Sequence, residues 1–150
     1  MTNNWTTGRR ILVATAIAGT LDISLAAIQT LRHGGKLDGM LRFVASGPFP
    51  AAKQWGAGGA ALGLAVHYAL IAIMAAIFIA AADRLAMVKR MPLVWGPFYG
   101  LATFVVLDLV VVPWRYGAPI VTASTEQFAV QLFAHVVLVG LTFGLVARKG

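Results

Sequence analysis

GAGGAALGLAVHYALIAIMAAIFIAAA, residues 56–82, holds only one side chain in 27 that can carry charge near neutral pH, His67. A helix crosses a bilayer with about 20 predominantly apolar residues, so this stretch reads as a span. Three further stretches read the same way: 10–31, 93–113 and 127–147. The chain is 59% hydrophobic and 11% charged, against about 25% charged residues in a soluble domain. Composition therefore predicts an all-α fold: an integral membrane, four-helix transmembrane bundle forming one domain over residues 1–150.

The net charge of +7 would suit a nucleic-acid partner, but its placement points elsewhere. Arg9, Arg10, Arg84, Lys89, Arg90, Arg148 and Lys149 flank the apolar segments, as topology and anionic headgroups require. The expected partners are membrane lipids, with a second copy or a membrane-complex subunit beside them and no nucleic acid. The basic residues of 83–92, set against the single Arg115 of 114–126, predict a multi-pass protein with both termini cytoplasmic. Arg32, Lys36, Arg42 and Lys53 pull the other way. The first apolar run is too long for a signal peptide and contains Asp22, so it reads as a retained helix. There is no cysteine, which excludes disulfides and thiolate chemistry.

Trp5, Trp55, Trp95 and Trp114 fall near the ends of the apolar segments, where indole rings prefer the headgroup level. Ser124-Thr125-Glu126-Gln127 resembles a capping box that opens the fourth helix. Pro97 is placed in the first turn of the third helix, and Pro113 is expected to end it. Residues 33–55 are long for a connection. Within them, 38–46 can form an amphipathic helix, lying on the headgroups or acting as a shallow re-entrant lid.

Gly59 and Gly63, Gly96 and Gly100, and Gly140 and Gly144 form three GxxxG pairs. Small residues at this spacing let helix backbones approach, within the chain or in a homo-oligomer. A weak repeat runs through the sequence. Gly19 and Asp22 in the first helix parallel Gly100 and Asp108 in the third. Leu64-Ala65-Val66-His67 parallels Leu132-Phe133-Ala134-His135. The pattern points to two related helical hairpins.

Asp22, His67, Asp108 and His135 stand one in each apolar segment. A charge in hydrocarbon costs several kcal/mol, so such residues pair, line water or do chemistry. Counted from the segment ends, they fall within about 9 Å of one another in depth, which predicts one polar layer. One reading makes the layer interhelical glue. A second makes it a proton or ion path, with Asp22 and Asp108 titrating and His67 and His135 relaying. Thr15, Thr20, Ser24, Gln29, Tyr68, Thr103 and Thr142 would be further polar steps. A zinc or manganese site and a b-type haem on His67 and His135 are weaker alternatives, because ligand spacing is absent. No resident cofactor, no metal and no catalytic residue is expected, since hydrolase, P-loop and kinase signatures are missing. Tyr68 points about 100° away from His67 on a helix and need not share its site. Arg115 reads as a headgroup anchor, and His33 as a solvated loop residue.

From His67 onward the chain resembles the YagU family of small bacterial inner-membrane proteins. The resemblance rests on His67, on Leu93-Val94-Trp95-Gly96 with Gly100, on a polar residue at 108 with Pro113 five residues later, and on His135. It covers a little over half the chain. It implies an inner-membrane location and a link to acid tolerance. Position 108 is Asp where the family has histidine, and Glu126 lies further upstream of the last histidine than the family's acidic residue. Only His67 and His135 carry over.

Overall fold

A computed structural model describes residues 5–117 and 124–150. Six helices account for nearly all of them: α1 (Thr7–Arg32), α2 (Leu37–Ala45), α3 (Gly56–Arg84), α4 (Ala86–Arg90), α5 (Pro92–Tyr116) and α6 (Thr125–Ala147). Four of these, α1, α3, α5 and α6, are long and apolar enough to cross a membrane. The protein is an all-α four-helix bundle of the multi-pass membrane type. The connection expected over 114–126 lies partly outside the described residues.

Local chemistry sets the ends. Thr6 caps α1 by accepting a hydrogen bond from Arg9 N, and Ser124 caps α6 by accepting from Gln127 N. Pro113 does not end α5. The helix runs on to Tyr116 and stops at Gly117, whose φ of 68° is the left-handed cap that glycine adopts at low cost. Pro97 is likewise inside α5, more than a turn beyond its start at Pro92. Just before Pro113 the backbone widens into a π-helical stretch, Val105–Val111, and α6 does the same over Ala134–Leu141. A π turn already breaks the i→i−4 ladder, so a proline beside it sacrifices less.

The helices stand in the order α3, α1, α6, α5 around the bundle. The α5–α6 seam is made by glycine. A Cβ on Gly96 would run into the Gly140 carbonyl, one on Gly100 into the His135 carbonyl, and one on Gly144 into the Pro92 carbonyl. The third pair works elsewhere in the same chain. Gly59 faces the carbonyl of Ala52 in the 3-10 turn Pro50–Gln54, and Gly63 faces the carbonyl of Leu41 on α2. All three glycine pairs are thus occupied within the chain, so none offers a bare seam to a second copy.

The half of the bundle near the termini is tightly packed. Ala14, Ala18, Ala75, Ile79, Val139 and Phe143 are completely buried there, with Phe78 beside Tyr99 and Phe143. Arg10, almost fully buried, places Nη2 2.8 Å from both carboxylate oxygens of Asp83, while Thr7 Oγ1 donates to Oδ2 at 3.0 Å. That pair ties the ends of α1 and α3 together; the sequence reading had Arg10 as a flanking charge.

The other half is roofed by α2. Its amphipathic face packs on the start of α3, and Phe43 and Val44 point into the bundle. The helix forms as an element of its own and covers that end of the cavity. Arg115 fixes it: Nε donates to the Gly47 carbonyl at 2.7 Å and Nη2 to the Ser46 carbonyl at 2.8 Å. Tyr116 stacks on Phe43 at 4.4 Å and donates to the Phe43 carbonyl. Arg115 therefore holds an inner contact where a headgroup anchor was expected.

Candidate functional site

Asp22, His67, Asp108 and His135 all line one cavity of about 470 Å³ beneath α2. They sort into two pairs, one from each hairpin. His67 Nδ1 of α3 lies 3.8 Å from Asp22 Oδ2 of α1, and His135 Nε2 of α6 lies 2.9 Å from Asp108 Oδ2 of α5.

The partners of the remaining ring nitrogens fix where the protons are. His67 Nε2 sits 2.9 Å from the Gly19 carbonyl, which can only accept, so Nε2 carries hydrogen. His135 Nδ1 sits 3.1 Å from Thr103 Oγ1. That hydroxyl spends its own hydrogen on the Gly100 carbonyl at 2.8 Å, so Nδ1 must donate to it. In both histidines the other ring nitrogen is the one that faces the carboxyl group. Orientation of a histidine by a backbone carbonyl is a common way of setting its tautomer.

The two dyads differ in quality. The second is short but bent: Asp108 Oδ2 is fully enclosed and receives no aligned hydrogen bond. Both of its members sit in the π-helical stretches, which recur at functional sites because they redirect side chains. The first dyad sits on regular α-helix, and the Asp22 side chain keeps 21% of its exposure against 9% for Asp108.

Asp22 also borders a second cavity, of about 330 Å³, between α1, α2 and α6. This vestibule is lined by Gln29, Thr30, Gln127 and Gln131, with His33 at its rim. His33 is not simply solvated: its Nδ1 meets the Gln29 carbonyl at 2.8 Å and its Nε2 lies 3.9 Å from Glu126 Oε2. Leu25, Met40, Phe43 and Val130 make most of the vestibule wall apolar, and Asp22 sits where the vestibule meets the dyad cavity. Sequence analysis takes Gln127 only as part of the helix cap and does not single out Gln131. Their signal is the spacing of Gln127 and Gln131, four apart and on one helix face.

Tyr68 stands edge-on to His67 at 5.3 Å and shares a 2.8 Å hydrogen bond with Thr20, so it buttresses the first dyad from the α1 side. The glycine before each aspartate also finds its use. Gly19 presents its carbonyl to His67, and Gly100 passes close under the His135 backbone. The weak repeat is thus a repeat of chemistry, with glycine and aspartate on the first helix of each hairpin and histidine on the second.

Among the described residues no three of the acidic and histidine side chains converge on a point.

No family model, curated protein or solved structure matches this chain.

Proposed function

We propose that this multi-pass membrane protein is a proton-linked transporter or pH-responsive protein whose Asp–His layer exchanges protons with one side of the bilayer. The observation that carries this reading is that two Asp–His pairs from four helices line one cavity, each histidine turning one ring nitrogen toward its carboxyl group. In this reading acidification adds protons to the Asp–His pairs, each pair titrating as a unit.

The charged and titratable groups around the layer are few. Asp22 comes from α1, His67 from α3, Asp108 and Arg115 from α5, and His135 from α6, while α2 contributes the apolar Phe43 and Val44. His33 and Glu126 stand at the vestibule rim. The packed core of Phe78, Ile79, Val139 and Phe143 lies between the layer and the termini, which favours one-sided exchange over an open channel. A structural subunit docking through its glycine faces is less well supported, since those faces are filled from within.

Arg9, Arg84, Lys89, Arg90, Arg148 and Lys149 gather at the end away from α2, in keeping with cytoplasmic termini in a bacterial inner membrane. The vestibule then opens outward, toward the acid, and the acid tolerance implied by the YagU resemblance is the natural setting.

The test is proton uptake by the purified protein, read with a pH dye after a step from about pH 7 to pH 5. The expected result is uptake beyond that of the surface groups, reduced in Asp22→Asn and again in Asp22→Asn/Asp108→Asn. Equal uptake by wild type and the double variant, both folded by circular dichroism, overturns the reading. In liposomes, steady flux abolished by Asp22→Asn would make the protein a channel.

A further inference from the structure

We infer that the dyad cavity is a lateral binding site for a membrane-dissolved amphiphile with a small, uncharged, oxygen-bearing head, of the quinone or acylglycerol kind. The inference deepens the proposed function and rests on both Asp–His pairs lining one cavity.

The cavity opens sideways. α3 and α5 touch at Tyr99, whose hydroxyl donates to the Met74 carbonyl, and at Phe78. Beyond that point, toward α2, both helices line the cavity instead of each other. Leu70, Val111 and Trp114 lie on the lining and are exposed, Trp114 at 82%. In a bilayer that exposed rim faces acyl chains. The wall behind it is Val66, Leu107 and Val112. A tail can lie along this wall without breaking any polar contact.

Depth and charge select the head. Asp108 stands eight residues before Tyr116, about 12 Å along the helix axis from the α2 end. Bringing a charged head that far into hydrocarbon costs several kcal/mol, whereas quinone carbonyls and free hydroxyls enter readily. The lining sets two carboxyl groups, Asp22 and Asp108, against one guanidinium, Arg115, so it gives an anionic head no net attraction. The carboxyl oxygens and histidine nitrogens offer hydrogen-bonding partners that suit a carbonyl or a hydroxyl. Two of the Arg115 nitrogens, Nε and Nη2, already bond the roof. The routes are also separate. Protons reach Asp22 through the glutamine-lined vestibule, while the amphiphile arrives from the lipid between α3 and α5.

Photolabelling of the full-length protein in nanodiscs tests this. Three probes of matched tail length are used: an azido-quinone, a diazirine monoacylglycerol, and a diazirine fatty acid kept ionised at alkaline pH. Adducts are mapped by peptide mass. The expected result is labelling by one or both neutral probes concentrated on 66–70 and 107–114, at least about tenfold above the fatty acid, a difference near 1.4 kcal/mol. Leu70→Trp, which fills the mouth from an exposed position, should remove that labelling and leave labelling at the outward-facing Ile77 and Phe98 unchanged. Quinone-only labelling identifies a quinone; acylglycerol-only labelling identifies a glyceride. Uniform labelling around the bundle, indifference to Leu70→Trp, or equal labelling by the ionised fatty acid overturns the inference. Site-specific labelling in a protein that takes up no extra protons keeps the binding site and removes the proton reading alone, so the two failures are distinguishable.

Discussion

The two Asp–His dyads are built from the same parts and held to different standards. The α1–α3 pair is loose, on regular helix, and borders a second cavity. The α5–α6 pair is short, enclosed, and mounted on two widened turns that face each other across a glycine seam. The contrast shows that identical residue types acquire different work from backbone geometry and access.

Breaking the seam should have the largest effect. Gly140→Leu drives a side chain into the Gly96 carbonyl; overpacking of this kind costs about 3 kcal/mol or more. The expected outcome is a hairpin that no longer assembles, read as a collapse of the SDS-unfolding midpoint. Gly58→Ala, where an added Cβ meets nothing within 4 Å, should leave that midpoint alone.

Next come the aspartates themselves. Asp108→Asn strands His135 in an enclosed site, and breaking such a pair costs roughly 3 kcal/mol. Asp22→Asn, at a wetter and longer contact, should cost only about 1 kcal/mol. Equal losses in the two variants, measured by the same unfolding assay, would erase the distinction between the dyads.

Arg115→Ala removes two hydrogen bonds from a guanidinium to the carbonyls under the roof, a loss of about 2 kcal/mol. Faster hydrogen exchange in α2, with α5 and α6 still protected, is the expected signature. Exchange rising through all helices together would mean that the lid and the bundle are one unit.

The smallest effect concerns pH and α2. The hydrogen bond from Arg42 Nη1 to Asp38 Oδ2 at 2.7 Å holds the Asp38 carboxyl below its ordinary value. A depressed value means that the stabilisation is complete above the ordinary carboxylate range and fades as pH falls through the folded value. Hydrogen exchange in α2 should rise slightly on acidification, and Asp38→Asn should abolish that change. A larger response that survives Asp38→Asn would place the acid sensitivity of the lid in the dyads beneath it.

The four spans were legible because hydrocarbon demands the same thing of every crossing helix: about twenty apolar residues with their backbone groups bonded internally. The depth of Asp22, His67, Asp108 and His135 was legible for the same reason, since rise per residue is fixed. Pro113 was expected to end α5 but does not, because the cost of a proline depends on whether the helix beside it is already opened, as it is over Val105–Val111. The place of Gln127 and Gln131 on the second cavity was not legible, because one helix face says nothing about the cavity it will border. Arg10 and Asp83 are 73 residues apart in sequence, and no local pattern links them.

The sequence by itself determined that this chain crosses a membrane as four helices and carries one acid or one imidazole in each. Burial in lipid is a property of single segments and can be read one segment at a time. Only the tertiary structure decided which aspartate meets which histidine, which nitrogen carries the fixed hydrogen, and which dyad borders the vestibule. Those depend on helix rotation and on where Gly96, Gly100, Gly140 and Gly144 let two backbones meet, and rotation is set by packing between segments.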